Sequence, residues 1–200
     1  MGFLVDDVAL WDGTGSPVHA RMSVEVRDGR VRWIGPETKR PGNPACFSKN
    51  SDLEEMAKNG TFLVPTMSVW DAMLYYARAV DWPANRKKRA EDLREGSRKA
   101  VSAAIVAGVK IALGTDAGGG AARHGRIASE AELMVECGME PKDALLAGTS
   151  SAAELIGETE RGTIEKGKIA DMILLDANPL ENVSGLRLIA AIFQGGLRVA

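Results

Sequence analysis

An α/β fold with β structure at both ends is predicted by three features of this 200-residue chain. Strand-like alternation runs through Pro36, helical periodicity with capping signals fills the middle from Asp52, and alternation returns after Gly162. Because helices lie between two β segments, the simplest arrangement pairs the ends. Residues 1–36 and 162–200 are then one small β domain, 37–51 a linker or seam, and 52–161 the α/β domain.

In the first segment Met22, Val24 and Val26 alternate with Ser23, Glu25 and Arg27. Asp28-Gly29 turns the chain into Arg30 to Ile34, a hairpin with one buried face. Between Glu37 and Asp52 the texture changes to Lys, Arg, Pro, Gly, Asn and Ser with no periodicity. Asp52 is placed to cap a helix from Leu53 to Lys58 that Gly60 closes, and Thr61 to Thr66 reads as a strand with Pro65 near its end. A helix follows over Asp71 to Val80. Its stripe from Trp70 to Tyr76 is open to two readings, helix packing or the lining of a pocket.

Arg86 to Gly108 is one long helix, with Leu93, Ala100, Ala104 and Ala107 toward one face and the charge run Arg86 to Arg89 on a solvated one. Beyond the central strand, Ile127, Ala131, Met134 and Val135 keep helical spacing through Glu136. Pro141 suits the first turn of the next helix. Ser151-Ala152-Ala153-Glu154 has the form of a capping box opening a short helix that Gly157 ends. After Gly162, Ile169 to Leu175 is nearly continuous apolar, and Leu188 to Phe193 meets Leu197 to Val199 across Gln194-Gly195-Gly196.

The central strand, Val109 to Leu113, is short, mostly apolar and bounded by Gly108 and Gly114. Asp116 therefore stands at its C-terminal mouth. In α/β sheets and barrels that end carries the chemistry, because the loops there aim polar groups at one pocket while the strands stay rigid. The glycines that follow permit positive φ and close approach of a ligand. A plain strand-to-loop turn, with Asp116 bonding its own loop, is the alternative.

Composition narrows the function classes. Hydrophobic residues make up 45% and charged residues 26%, the profile of an ordinary globular protein. With a formal net charge of −2 and a pI near 5.8, no basic face tracks phosphates, so no nucleic-acid partner is expected. No apolar run reaches the roughly 20 residues of a membrane span, and the opening from Met1 to Asp7 lacks signal-peptide regions, so no membrane partner and a cytoplasmic location are expected. Cys46 and Cys137 are far apart and in no metal-type spacing; free thiols are expected, with Cys137 on a helix in the core.

The run Gly108 to Gly118, then His124-Gly125-Arg126, Glu132 to Glu136, Gly138-Met139-Glu140-Pro141, Ala144-Leu145 and Thr149, resembles the C-terminal half of amidohydrolase-superfamily enzymes, imidazolonepropionase-like and prolidase-like hydrolases in particular. Gly162 to Asp176 with Asn178-Pro179-Leu180 is similar to the family's return into a composite β-sandwich, and Asp12-Gly13 and Arg27 to Val31 look like the N-terminal strands of that sandwich. The resemblance implies a partial TIM (β/α)8 barrel, formed from its C-terminal strands and helices, with a small composite β-sandwich from the two termini. It also implies metal-dependent cleavage of C–N bonds in a small-molecule amide, cyclic amide or dipeptide by metal-activated water, the divalent metal being zinc by resemblance. Asp116, ending the last barrel strand, is the implied metal ligand and catalytic base. His124 either hydrogen-bonds substrate from its loop or stabilises that loop.

The family pattern also calls for a His-x-His pair on the first barrel strand and further histidines on the fifth and sixth. This chain has two histidines, His19 in the N-terminal β segment and His124. The span available for a barrel, 37–161, is roughly half of the about 250 residues typical of the fold. Three readings stay open: an enzyme of the family in a shortened chain, a deletion product without metal chemistry that persists as an assembly partner, and a module holding an anion at the Gly-rich loop and the helix start at Ile127. Three candidate barrel strands, near Ala45 to Phe47, Thr61 to Thr66 and Lys110 to Gly114, cannot close on themselves, so a homo-oligomer is expected.

Overall fold

A computed structural model describes residues 2–10, 19–27, 30–36, 50–118 and 122–200, with residues up to Ser51 described by backbone alone. Two compact units divide the chain, Met1–Cys46 and Phe47–Ala200.

The first unit is an antiparallel sheet in the order β1 (Gly2–Leu10), β2 (His19–Arg27) and β3 (Arg30–Pro36). Arg27 pairs with Arg30 across the hairpin expected there, while Asp28, Gly29, Asp12 and Gly13 lie outside the described residues. So do the linker residues 37–49, with Cys46 and the candidate strand Ala45 to Phe47.

The second unit opens with α1 (Asn50–Lys58). Asp52 lies inside its first turn and not at the cap, where its charge still favours the positive end of the helix. Gly60 closes the helix at φ 63°, as expected. β4 (Phe62–Leu63) is shorter than the strand expected over Thr61 to Thr66, because Pro65 has no N–H for a ladder and Thr66 turns to φ 45°. α2 (Ser68–Ala79) begins three residues before the expected Asp71. Its buried side carries Ala72, Leu74 and Ala77, and Tyr75 and Tyr76 are exposed. α3 (Ala84–Val106) is the long helix, buried at Ala90, Val101 and Ala104. β5 (Lys110–Ile111) pairs in parallel with β4.

Then come α4 (Ile127–Glu136), α5 (Pro141–Ala147) and α6 (Ser150–Ile156). In α4 the buried residues are Ala128, Glu130, Ala131, Leu133 and Met134, whereas Ile127, expected on the apolar face, is exposed. Cys137 is free and half-buried just past the end of α4, with its thiol pushed up by burial. Pro141 takes the first turn of α5 as expected. The capping box at Ser151 does not form: Thr149 is the cap residue, without a side-chain cap bond, and Glu154 pairs with Lys110. Gly157 ends α6 at φ 72°.

A second antiparallel sheet joins β6 (Met172–Leu175), β7 (Ile189–Gln194) and β8 (Leu197–Arg198) in that order, turning at Gly195 and Gly196, both at positive φ. The main core gathers Met67, Val101, Ile111, Ala131, Leu133, Met134, Met139, Ala144, Ala147 and Val183, so the pair β4 and β5 sits under α3, α4 and α5. Among the described residues no helix is long and apolar enough to cross a membrane.

Candidate functional site

The site is built from the C-terminal ends of β4 and β5. Phe62 lies beside Lys110 and Leu63 beside Ile111, and Ala112 N–H extends the ladder by donating to Leu63 O at 3.0 Å. Both strands therefore release their loops, 64–67 and 112–118, at one edge. Leu113 N–H donates to Ala147 O at 2.8 Å, which fixes the root of the second loop to the end of α5.

Asp116 is exposed in that second loop at φ 48°, a left-handed backbone that Asp tolerates because its short side chain can bond local backbone. Thr66, in the neighbouring loop, is held at φ 45°. A β-branched residue there is an outlier that persists only where its surroundings impose it. Gly114 lies between the two loops: a Cβ on it would stand 2.5 Å from Val64 Cγ1 and 3.6 Å from Thr66 Cγ2. Only a bare α-carbon lets the loops meet this closely.

His124 belongs to the continuation of the Asp116 loop. Gly118 N–H donates to Ala122 O at 2.9 Å, and the exposed His124 ring lies over Gly118, with Nε2 3.3 Å from where a Cβ would project. The two predicted site residues thus flank Gly118, and among the described residues no hydrogen bond joins them or holds the Asp116 carboxylate. The glycine-rich positions 119 to 121 lie outside the described residues.

Glu130 escaped the sequence reading. It is fully buried, and its carboxylate accepts hydrogen bonds of 2.7 Å from Met67 N–H and Ser68 N–H, the first amides of α2. Burial pushes this carboxyl above its ordinary range, opposed by donors from Ser68 and Met67. One signal was available: Glu130 interrupts the stripe Ala128, Ala131, Met134 on α4. Outside it lies a polar cleft of about 420 Å³ lined by residues such as Asp71, Arg98, Arg126 and Glu136. Its charges are largely paired internally, Arg94 with Asp71 and Arg98 with both Asp71 and Glu136.

Among the described residues no group of three or more His, Cys, Asp or Glu is placed to hold a metal ion. A catalytic zinc normally takes three protein ligands. Asp116 alone does not fit that requirement.

This arrangement, a carboxylate in the loop after a short parallel strand with a histidine just beyond, is accompanied by a match of residues 18–197 to the Amidohydrolase family model. The chain belongs to the amidohydrolase family. Ochratoxinase of Aspergillus niger is 32% identical over 149 residues, 72% of this chain and 30% of that protein. Imidazolonepropionase of Streptomyces griseus subsp. griseus is 32% identical over 97 residues, 46% of this chain and 25% of that protein. The crystal structure of a Xaa-Pro dipeptidase with bound methionine in the active site is similar at a TM-score of 0.67 and 33% identity, over 76% of this chain and 37% of that one. This amidohydrolase chain thus spans between 25% and 37% of the length of these relatives. Its mixed helix and strand architecture agrees with the α/β expectation, and its family is one of hydrolytic enzymes.

Proposed function

We propose that this amidohydrolase chain serves in hydrolysis of a C–N bond in small amides, cyclic amides or dipeptides, on a partial (β/α)8 barrel whose strands include β4 and β5. The observation that carries the reading is Asp116, exposed and unpaired among the described residues in the loop that leaves β5. A carboxylate so placed can accept a proton from an attacking water within hydrogen-bond reach and return it to the leaving nitrogen. His124, further along the same loop with its ring over Gly118, is the proposed substrate contact. The dipeptidase and ochratoxinase relatives support amide or peptide bonds as the substrate class.

Members of the family generally bind a divalent metal. The described residues do not supply a ligand set, and no step of this reading runs through one. That same observation favours a second reading, a homologue without metal chemistry that acts as an assembly partner. An anion-binding loop has less support, because Gly118 N–H is already paired with Ala122 O.

The deciding experiment is hydrolysis of a panel of dipeptides and lactams by the purified chain, with elemental analysis of the same sample. Turnover that disappears in Asp116→Asn, with an unchanged melting curve, is expected, since Asn keeps the shape and loses the basicity. Turnover at the wild-type rate in that variant removes Asp116 from the mechanism. No turnover by a well-folded wild-type chain moves the assignment to the assembly partner.

A further inference from the structure

Glu130 is the most deeply buried charged side chain among the described residues, and the hydrolytic reading does not use it. Its two acceptor bonds run to backbone amides 63 and 62 residues earlier in the chain, Met67 and Ser68. α2 has no side-chain cap of its own: Met67, at the cap position, makes no side-chain hydrogen bond to the helix amides. The first turn is therefore held from outside, by a carboxylate on α4. Immediately before these two amides comes Thr66 at φ 45°, and Thr66 and Val64 bear on Gly114, two residues before Asp116.

We propose that Glu130 is a positioning residue for the Asp116 loop. By fixing Met67 N–H and Ser68 N–H it locks Thr66 in its left-handed backbone and presses the 64–67 loop against Gly114, which sets where Asp116 stands. The path runs by hydrogen bonds from Glu130 to Met67 and Ser68, then along the backbone to Thr66 and Val64, whose methyl groups stand where a Cβ on Gly114 would project, so a shift of the 64–67 segment reaches the backbone before Asp116. Two independent features agree with it. Thr66 occupies a backbone region that needs an external constraint, and Gly114 leaves room for no side chain between the loops. The role assigned to the path rests on Asp116 being the reactive carboxylate; the mechanical coupling itself does not.

The test reads the coupling without relying on turnover. Backbone amide exchange is measured by nuclear magnetic resonance in the wild-type chain, Glu130→Gln, Glu130→Ala and Gly114→Ala. In Glu130→Ala exchange is expected to rise at least about tenfold at Met67 and Ser68 and also at Leu113 and Gly118, the amides of the Asp116 loop that donate to Ala147 O and Ala122 O, with the middle of α3 unchanged. Glu130→Gln, which keeps one acceptor oxygen, is expected to restore part of the protection in both loops together. Gly114→Ala drives a Cβ at Val64 and is expected to loosen Met67 and Ser68 from the opposite direction, which keeps the test available if Glu130→Ala fails to fold. Faster exchange confined to Met67 and Ser68 in Glu130→Ala, or a Gly114→Ala chain with undisturbed Met67 and Ser68 amides, overturns the proposal and leaves Glu130 a helix cap. Loss of turnover in Asp116→Asn with intact exchange everywhere addresses the hydrolytic reading separately.

Discussion

At the scale of single residues, the molecule concentrates unusual backbone where its loops meet. Asp116 and Thr66 share a left-handed conformation in adjacent loops, and Gly162 takes φ 89° with the place of its missing Cβ only 2.6 Å from Ala153 Cβ and 3.1 Å from Thr149 O. Gly162→Ala meets both penalties at once, a strained backbone and a clash against α6. We expect it to lower stability by about 1–3 kcal/mol, seen as a reduced urea midpoint at unchanged slope; an unchanged midpoint would mean that α6 moves aside freely. Asp116 was legible because a short apolar run between glycines announces a strand, and the residue at its mouth follows from counting. For Glu130 the interrupted stripe on α4 was the one signal of burial, and its partners were not legible, since they are 62 and 63 residues away. Local periodicity carries no record of such a bond.

Among elements, one boundary that departed from expectation has a tertiary contact at it, while the early end of β4 has the local cause of Pro65 and Thr66. α2 starts at Ser68 where Glu130 supplies the missing cap, and the serine-led box at Ser151 stays unformed because α6 already begins at Ser150, which puts Ser151 inside the helix. Elements with self-contained signals, such as the Pro141 start of α5 and the Gly157 end of α6, fell where the residues placed them. One set of contacts ties the C-terminal segment to α4. Arg187, at the end of the 3-10 turn Val183–Arg187, donates from Nε and Nη2 to the two oxygens of Glu132 on α4 at 2.8 and 2.6 Å, and from Nη2 to Ser129 Oγ at 3.0 Å. The guanidinium holds the Glu132 carboxyl below its ordinary value of 4.5. A carboxyl lowered by folding adds stability that is present above 4.5 and is lost as pH falls through its folded value. Arg187→Ala is therefore expected to cost about 1 kcal/mol near neutral pH, with the difference from the wild-type chain shrinking as the solution is taken below 4.5. Urea melts at the two pH values check this, and a cost independent of pH would assign the loss to packing of the Arg187 stem.

For the whole molecule, the two terminal β segments form separate three-stranded sheets, one within Met1–Cys46 and the other within Phe47–Ala200. Ile173 and Leu174, consecutive on β6 and so directed to opposite faces, are both exposed at 49% and 57%, which leaves apolar surface in need of a cover. The pair β4 and β5 raises the same need within the unit Phe47–Ala200. Among the described residues the parallel pair has two outer edges with no further strand, and parallel strands are otherwise found buried on both faces inside closed or doubly covered sheets. Additional exposed apolar side chains, Val106 at 89% and Ile164 at 83%, add to the surface that water disfavours. Association is the remedy open to such a chain, by edge pairing between copies, by exchange of terminal strands, or with a second polypeptide that completes the arc. Light scattering of the purified chain over a hundredfold range of concentration tests it. A mass above the 21.3 kDa of one chain, falling on dilution, is the expected result for self-association. A monomer at every concentration with one cooperative melt would show that the helices around β4 and β5 already seal the arc, and the proposal of an open barrel would fall with it.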